Sequence, residues 1–197
     1  MKNIFFGFAI AATTLAACNN SNNTASENKN VNKDTVQAKP QTDSPTAAQV
    51  KGTSTIKEIV ATYLQLKNAF TKDNSSEAAT TGSALQTAFK NFDQTALTAQ
   101  QKKLFEDVAD DAGEHAEHIG ANGGNIAHQR EHFVMLSKDM ADLIKTFGNG
   151  GQTLYKDFCP MANDGKGATW FSEVKDIKNP YQGSKMLTCG SVKETIK

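Results

Sequence analysis

The sequence predicts a mainly α fold, an up-down four-helix bundle followed by a small C-terminal β-hairpin unit packed on it. Three observations carry this expectation. Between residues 53 and 150, apolar side chains recur at three- and four-residue spacing in four separate stretches, the period of one buried helix face. Short polar or glycine-rich breaks separate the stretches, so consecutive helices return antiparallel. After residue 151 the helical period stops, and the turn signals Asn163-Asp164-Gly165, Asn179-Pro180 and Gln182-Gly183 alternate with aromatic and β-forming residues.

The first helix is expected to bury Ile56, Ile59, Val60, Tyr63, Leu64, Leu66 and Phe70, with Ser54 as its N-cap. A break at Asp73-Asn74-Ser75 leads to the second, whose face of Ala78, Gly82, Leu85, Ala88, Phe89 and Phe92 begins small enough for close packing. Thr98 caps a third helix carrying Leu104, Phe105, Val108, Ala112, His115 and Ile119, which ends in the glycine-rich segment 120–124. Ile126, Phe133, Leu136, Met140, Leu143, Ile144 and Phe147 form the fourth, stopped at 148–151. In the segment 151–197, Tyr155, Phe158, Trp170, Phe171, Ile177 and Tyr181 supply an apolar face. A unit of about 45 residues is marginal alone and needs the bundle, a disulfide or a metal to order it.

The N-terminal region has a different character. Residues 1–17 combine a short positive start with an apolar stretch of roughly a dozen residues, too short for a stable span, and read as a signal peptide. Leu15-Ala16-Ala17-Cys18 is similar to a bacterial lipobox, which makes Cys18 the lipidated first residue of a mature, membrane-anchored chain. The expected location is the cell envelope on the periplasmic side, at the outer membrane. Residues 18–52 are polar and lack aromatics, a composition that cannot bury enough apolar surface to offset ordering entropy, and are expected to be a disordered tether. Lys+Arg and Asp+Glu balance at 21 each, which gives no electrostatic case for a nucleic-acid partner.

Candidate ligands lie in two groups. All four histidines fall within eighteen residues, His115 and His118 near the end of the third helix and His128 and His132 at the start of the fourth. Spacings of three and four put each pair on one helix face, and the tight turn makes the two helices neighbours. Projection at 100° per residue brings His115, His118 and His132 together and sets His128 furthest round. Asp111 and Glu114, four residues before His115 and His118, are placed to orient imidazoles. Near the C-terminus, Cys159-Pro160-Met161 and Met186-Leu187-Thr188-Cys189 each put a thiol beside a thioether. Two readings stand side by side: soft ligands that select Cu(I), or a Cys159–Cys189 disulfide in an oxidising envelope. Met135 and Met140 are expected in core and flank positions, since methionine commonly fills gaps in helical cores.

Catalysis is not expected. No nucleophile–base–oxyanion arrangement is legible, Gly165-Lys166-Gly167 is too short for a phosphate loop, and Asp107, Asp110 and Asp111 read as a solvated helix face. The residues 63–67 (YLQLK), 115–119 (HAEHI), 128–133 (HQREHF), 154–173 (LYKDFCPMANDGKGATWFSE) and 177–196 (IKNPYQGSKMLTCGSVKETI) together resemble the domain of unknown function 3347 family. That resemblance implies bacterial envelope lipoproteins, or domains fused to the periplasmic adaptor subunits of heavy-metal efflux pumps, and a copper-resistance context. It implies no reaction. The combined expectation is a lipoprotein that binds a soft transition metal, copper foremost, as chaperone, buffer or efflux accessory. The alternative is a disulfide-stapled interaction module that docks on an envelope efflux adaptor.

Overall fold

A computed structural model describes residues 56–197; the signal segment, Cys18, the tether and Ser54 lie outside the described residues. Four helices follow in order: α1 Ile56–Thr71, α2 Ser75–Lys90, α3 Ala99–Ala121 and α4 Ile126–Phe147. Each packs on its neighbour in sequence, and α1 also meets α4, the pattern of an antiparallel bundle. The three breaks work as the local chemistry dictates. Asp73 takes φ 54° and Asn74 caps α2 by accepting from Glu77 N. Thr98 and Gln101 form a reciprocal capping box on α3, and Asn125 caps α4 by accepting from His128 N.

The small residues expected at the start of α2 have a definite use. A Cβ at Gly82 would lie 2.8 Å from Ile119 Cγ2 and 2.9 Å from Ala116 O, so α2 and α3 cross nearly backbone to backbone there. Opposite this crossing, Tyr63 stacks on Phe133 at 5.2 Å, Phe70 lies 5.0 Å from Phe133, and Phe133 meets Tyr181 at 5.6 Å.

The expected hairpin is present as β1 Leu154–Cys159 and β2 Ala168–Ser172, and a third strand, β3 Ser191–Ile196, joins the other edge of β1 to make an antiparallel sheet of order β2-β1-β3. Cys159 pairs with Ala168 and Asp157 with Trp170, while a bulge at Lys156/Asp157 interrupts the ladder to β3. The sheet meets the bundle through β2 against α4 and α1. Tyr63 Oη and Ser137 Oγ lie 2.9 Å apart, the Phe171 N–H donates to Tyr63 Oη, and the Tyr181 hydroxyl donates to Thr169 O. Burial raises both phenols above their ordinary range, so they remain neutral donors inside this interface.

Charge is buried at the same interface. Lys67, fully buried, lies 2.9 Å from Glu173 Oε2 as an ion pair not aligned as a hydrogen bond, and Asn68 donates to Glu173 Oε1. Burial pulls the Lys67 ammonium down and the Glu173 partner opposes it. For Glu173, burial acts upward, but the hydrogen bond from Asn68 and the adjacent Lys67 ammonium outweigh it and hold the carboxyl low. Asp157 is also fully buried, and neither of its oxygens has a hydrogen-bond partner. Burial pushes its carboxyl up to about 7 against a weak pull from Lys67.

Two outcomes follow from this packing. Gly82→Ala gains up to about 1 kcal/mol of helix propensity but overpacks the crossing by roughly 1–3 kcal/mol, so its thermal midpoint should fall; an unchanged or higher midpoint would show that the helices separate freely. Asp157 binds its proton more tightly folded than unfolded, so its contribution to stability falls as pH rises from about 4 to about 7 and stays low above that. Asp157→Asn should therefore stabilise the fold at pH 8, on the order of 1–3 kcal/mol, and flatten the decline in denaturant midpoint between those pH values; equal pH profiles for both proteins would refute the assignment.

Candidate metal centre

The α3–α4 hairpin is held by side chains that lie next to the histidines in sequence. Gln129, fully buried, donates to Ile119 O at 2.9 Å and Ser75 O at 3.1 Å and accepts from Ser75 Oγ at 2.7 Å. Ser75 Oγ in turn accepts from Gly124 N at 2.7 Å, so the turn, the end of α3 and the start of α2 share one polar knot. Arg130 donates to Phe70 O, Asp73 Oδ1 and Pro180 O at 2.6–2.8 Å. Asp73 also accepts from Ser184 N, and the bonds from Ser184 and Arg130 hold its carboxyl at about 2. In the segment 128–133, His128 and His132 face outward while Gln129, Arg130 and Phe133 fasten α4 to everything around it.

All four imidazoles meet in this hairpin. His118 and His132 stack at 4.4 Å with ring planes 4° apart, and His128 stands edge-on to His132 at 4.7 Å. One ligating nitrogen each from His118, His128 and His132 lies within 4.8 Å of the others. His115 Nδ1 lies 3.2 Å from His132 Nδ1, and the tautomer in which the His132 Nδ1–H donates leaves His132 Nε2 with its lone pair. The structure thus places His128 inside the trio and His115 behind it. The straight-helix projection differs because the His118 and His132 rings stack across the hairpin, bringing the first turn of α4 against the last turn of α3.

Carboxylates flank the rings. Glu131 Oε2 lies 3.1 Å from His128 Nδ1, leaving Nε2 of that ring free, and Glu114 Oε1 lies 3.7 Å from His118 Nε2. Glu131, three residues after His128, was legible only by the helix-face rule that picked out Glu114. Asp111 and Glu114 act on His115 through charge, favouring its cation, but burial dominates and lowers it. Burial likewise lowers His132, and the three neighbouring histidines add to the effect. Both therefore stand as neutral imidazoles at neutral pH, the form that donates a lone pair to a metal. Side chains of His118 and His128 are 45% and 36% exposed, so the trio opens to solvent.

The trio passes a simple fit test. Metal–nitrogen bonds of about 2.0–2.1 Å put tetrahedral ligand nitrogens roughly 3.3 Å apart, so the three rings must close inward to hold an ion. Exposed rings at helix ends have the rotamer freedom to do so, and a fourth position stays open.

The two cysteines lie outside this trio. Cys159 Sγ and Cys189 Sγ lie 2.8 Å apart, and the contact with Cys159 raises the Cys189 thiol. Two thiolates bonded to one tetrahedral metal at about 2.3 Å would sit nearly 4 Å apart, so a shared ion would require these two sulfurs to part by about 1 Å. Met161 and Met186 are 54% and 38% exposed. Among the described residues the convergent group of three holds imidazoles alone, and neither cysteine joins it.

No curated protein and no solved structure matches the chain. A family model does, described as a protein of unknown function (DUF3347), over residues 59–152, which run from α1 through α4 and include both histidine pairs and the 128–133 motif. Through that match, residues 59–152 of the chain belong to the DUF3347 family.

Proposed function

We propose that this protein is an envelope lipoprotein that binds a transition metal ion, copper first among candidates, through His118, His128 and His132, and serves as a chaperone, buffer or efflux accessory. The observation that carries the proposal is the convergence of three imidazole nitrogens at an exposed helical hairpin. Imidazole suits copper, zinc, nickel and iron, and affinity for a given nitrogen site peaks at Cu(II) among the divalent ions. The anchor rests on the sequence Leu15-Ala16-Ala17-Cys18. An open coordination position and solvent-facing ligands favour loading and release over permanent retention.

The close approach of Cys159 and Cys189 favours the second reading, a disulfide-stapled module that docks on an efflux adaptor. The two readings share one molecule without conflict, because a staple between β1 and the segment just before β3 leaves the imidazoles untouched.

Titration of the purified protein with Cu(II) should show one site. His118→Ala, His128→Ala and His132→Ala should each weaken it by at least about 10-fold, and Glu131→Gln by a smaller factor through loss of the bond that orients His128. Cys159→Ser should leave the affinity in place. Binding that survives removal of His118 and His132 together would end the proposal. Thiol labelling under denaturing conditions without reductant should find Cys159 and Cys189 blocked; two free thiols in protein isolated from the envelope would remove the staple.

A further inference from the structure

Met135 and Met140 lie on the same helix, α4, yet the fold separates them completely. Met140 is fully buried in the core, as the helical period requires, whereas Met135 is 44% exposed. Methionine on a surface gains little from its flexibility and loses the dispersion contacts that make it useful in a core. Among the described residues the exposed large hydrophobics are Met135, Met161, Met186 and Val174, so thioethers dominate that group. Met135 stands apart from the other two because of what shares its helix face. It lies three residues after His132 and seven after His128, which at 100° per residue puts all three within one narrow sector of α4. Side chains three apart have Cβ atoms about 5–6 Å from one another, and the three rotatable bonds of methionine cover that gap. The Met135 sulfur touches Lys138 Nζ at 3.6 Å, a weak contact to a sulfur lone pair that a metal readily replaces.

We infer that His128, His132 and Met135 form a second ligand set on the exposed face of α4, one that takes a soft monovalent ion, Cu(I) or Ag(I). The inference rests on the imidazole reading above and extends it. His118, on α3, completes the nitrogen-only set for a borderline divalent ion; Met135, on α4, completes a mixed nitrogen–sulfur set for a soft monovalent one. His128 and His132 are common to both. Soft d10 ions accept a thioether and tolerate two or three ligands, while harder divalent ions gain little from sulfur. The same helix surface therefore holds an ion in either charge state, and His118 and Met135 divide the preference between them.

The test uses the purified full chain with two probes, Cu(I) in competition with a chromogenic Cu(I) chelator and Zn(II) in direct titration. Met135→Leu keeps size and apolarity at an exposed position, so folding is not at issue. The expected result is a loss of roughly 10-fold or more in Cu(I) affinity with Zn(II) affinity unchanged, and the reverse ordering for His118→Ala. Met161→Leu combined with Met186→Leu should leave both affinities as they were. An unchanged Cu(I) affinity in Met135→Leu, with His132→Ala weakening both ions, overturns the methionine ligand and leaves the imidazole site standing. Loss of Cu(I) binding only in the Met161/Met186 double variant also overturns it. If His128→Ala and His132→Ala weaken neither ion, the imidazole reading fails and this inference fails with it.

Discussion

The arrangement of this protein depends on the guanidinium of Arg130. It is the side chain at which α1, α4 and the C-terminal segment meet, through Phe70 O, Asp73 and Pro180 O. Phe70 O, in the last turn of α1, also accepts from the Asp73 N–H, so Arg130 takes the second lone pair of a helix-end carbonyl while it ties two helices. Asp73, in its left-handed conformation, relays the contact to Ser184. The fit is tight enough that Gly183, at φ 54°, has no room for a Cβ beside Asp73 and the guanidinium. Lysine would not substitute, because a single ammonium lacks the planar fork that serves several acceptors from one position. Since Arg130 sits between His128 and His132, whatever fixes it also fixes the orientation of the α4 face that carries them.

The polar groups inside the α1–α4–sheet interface set a second constraint. Lys67, Glu173, Asp157, Ser137 and the two phenols bring charge and hydrogen bonding into a region an apolar core would fill more cheaply. The buried ion pair is weak evidence for stability by itself, since desolvation offsets most of its attraction. Its consequence is positional. A sheet that slid by one residue along α1 would part Lys67 from Glu173 and the Phe171 N–H from Tyr63 Oη, each at a cost of about a kilocalorie or more, so the sheet has one register against the bundle. Asp157 is the exception, because no partner meets it and its carboxyl is neutral over part of the physiological range.

Much of this was legible in the sequence, for identifiable reasons. Helix limits followed from the 3.6-residue period and from Thr98, Asn74 and the glycine-rich breaks, all local signals. The hairpin that collects the histidines followed from turn length alone. What stayed hidden depends on residues far apart in the chain. Lys67 reads as a surface lysine at the flank of α1 until Glu173, more than a hundred residues later, is folded against it. Arg130 reads as an exposed charge beside the histidines, since nothing near it in sequence supplies its acceptors. The membership of His128 turned on the stacking of rings across the hairpin, which a projection on a straight cylinder does not contain. β3 alternates weakly, being an exposed edge strand, and carries little period-two signal of its own.

The location of the imidazoles also bears on what a bound ion does to the protein. In small metal-dependent domains the ligands replace a core, and binding free energy is folding free energy. Here the hairpin is already held by Gln129, Arg130, Phe133 and the aromatic contacts around Phe133, none of which involves a histidine ring. As ligands in the proposed role, the histidines would therefore carry no structural task besides their chemical one. An ion bound by them stabilises the fold only by mass action, in proportion to the logarithm of its free concentration over its dissociation constant. Under the proposed role, loss of the ion would return a folded chain with the same imidazoles in place. The proposed role of passing or buffering metal requires that independence, and in this chain it follows from which residues of the 128–133 segment face inward.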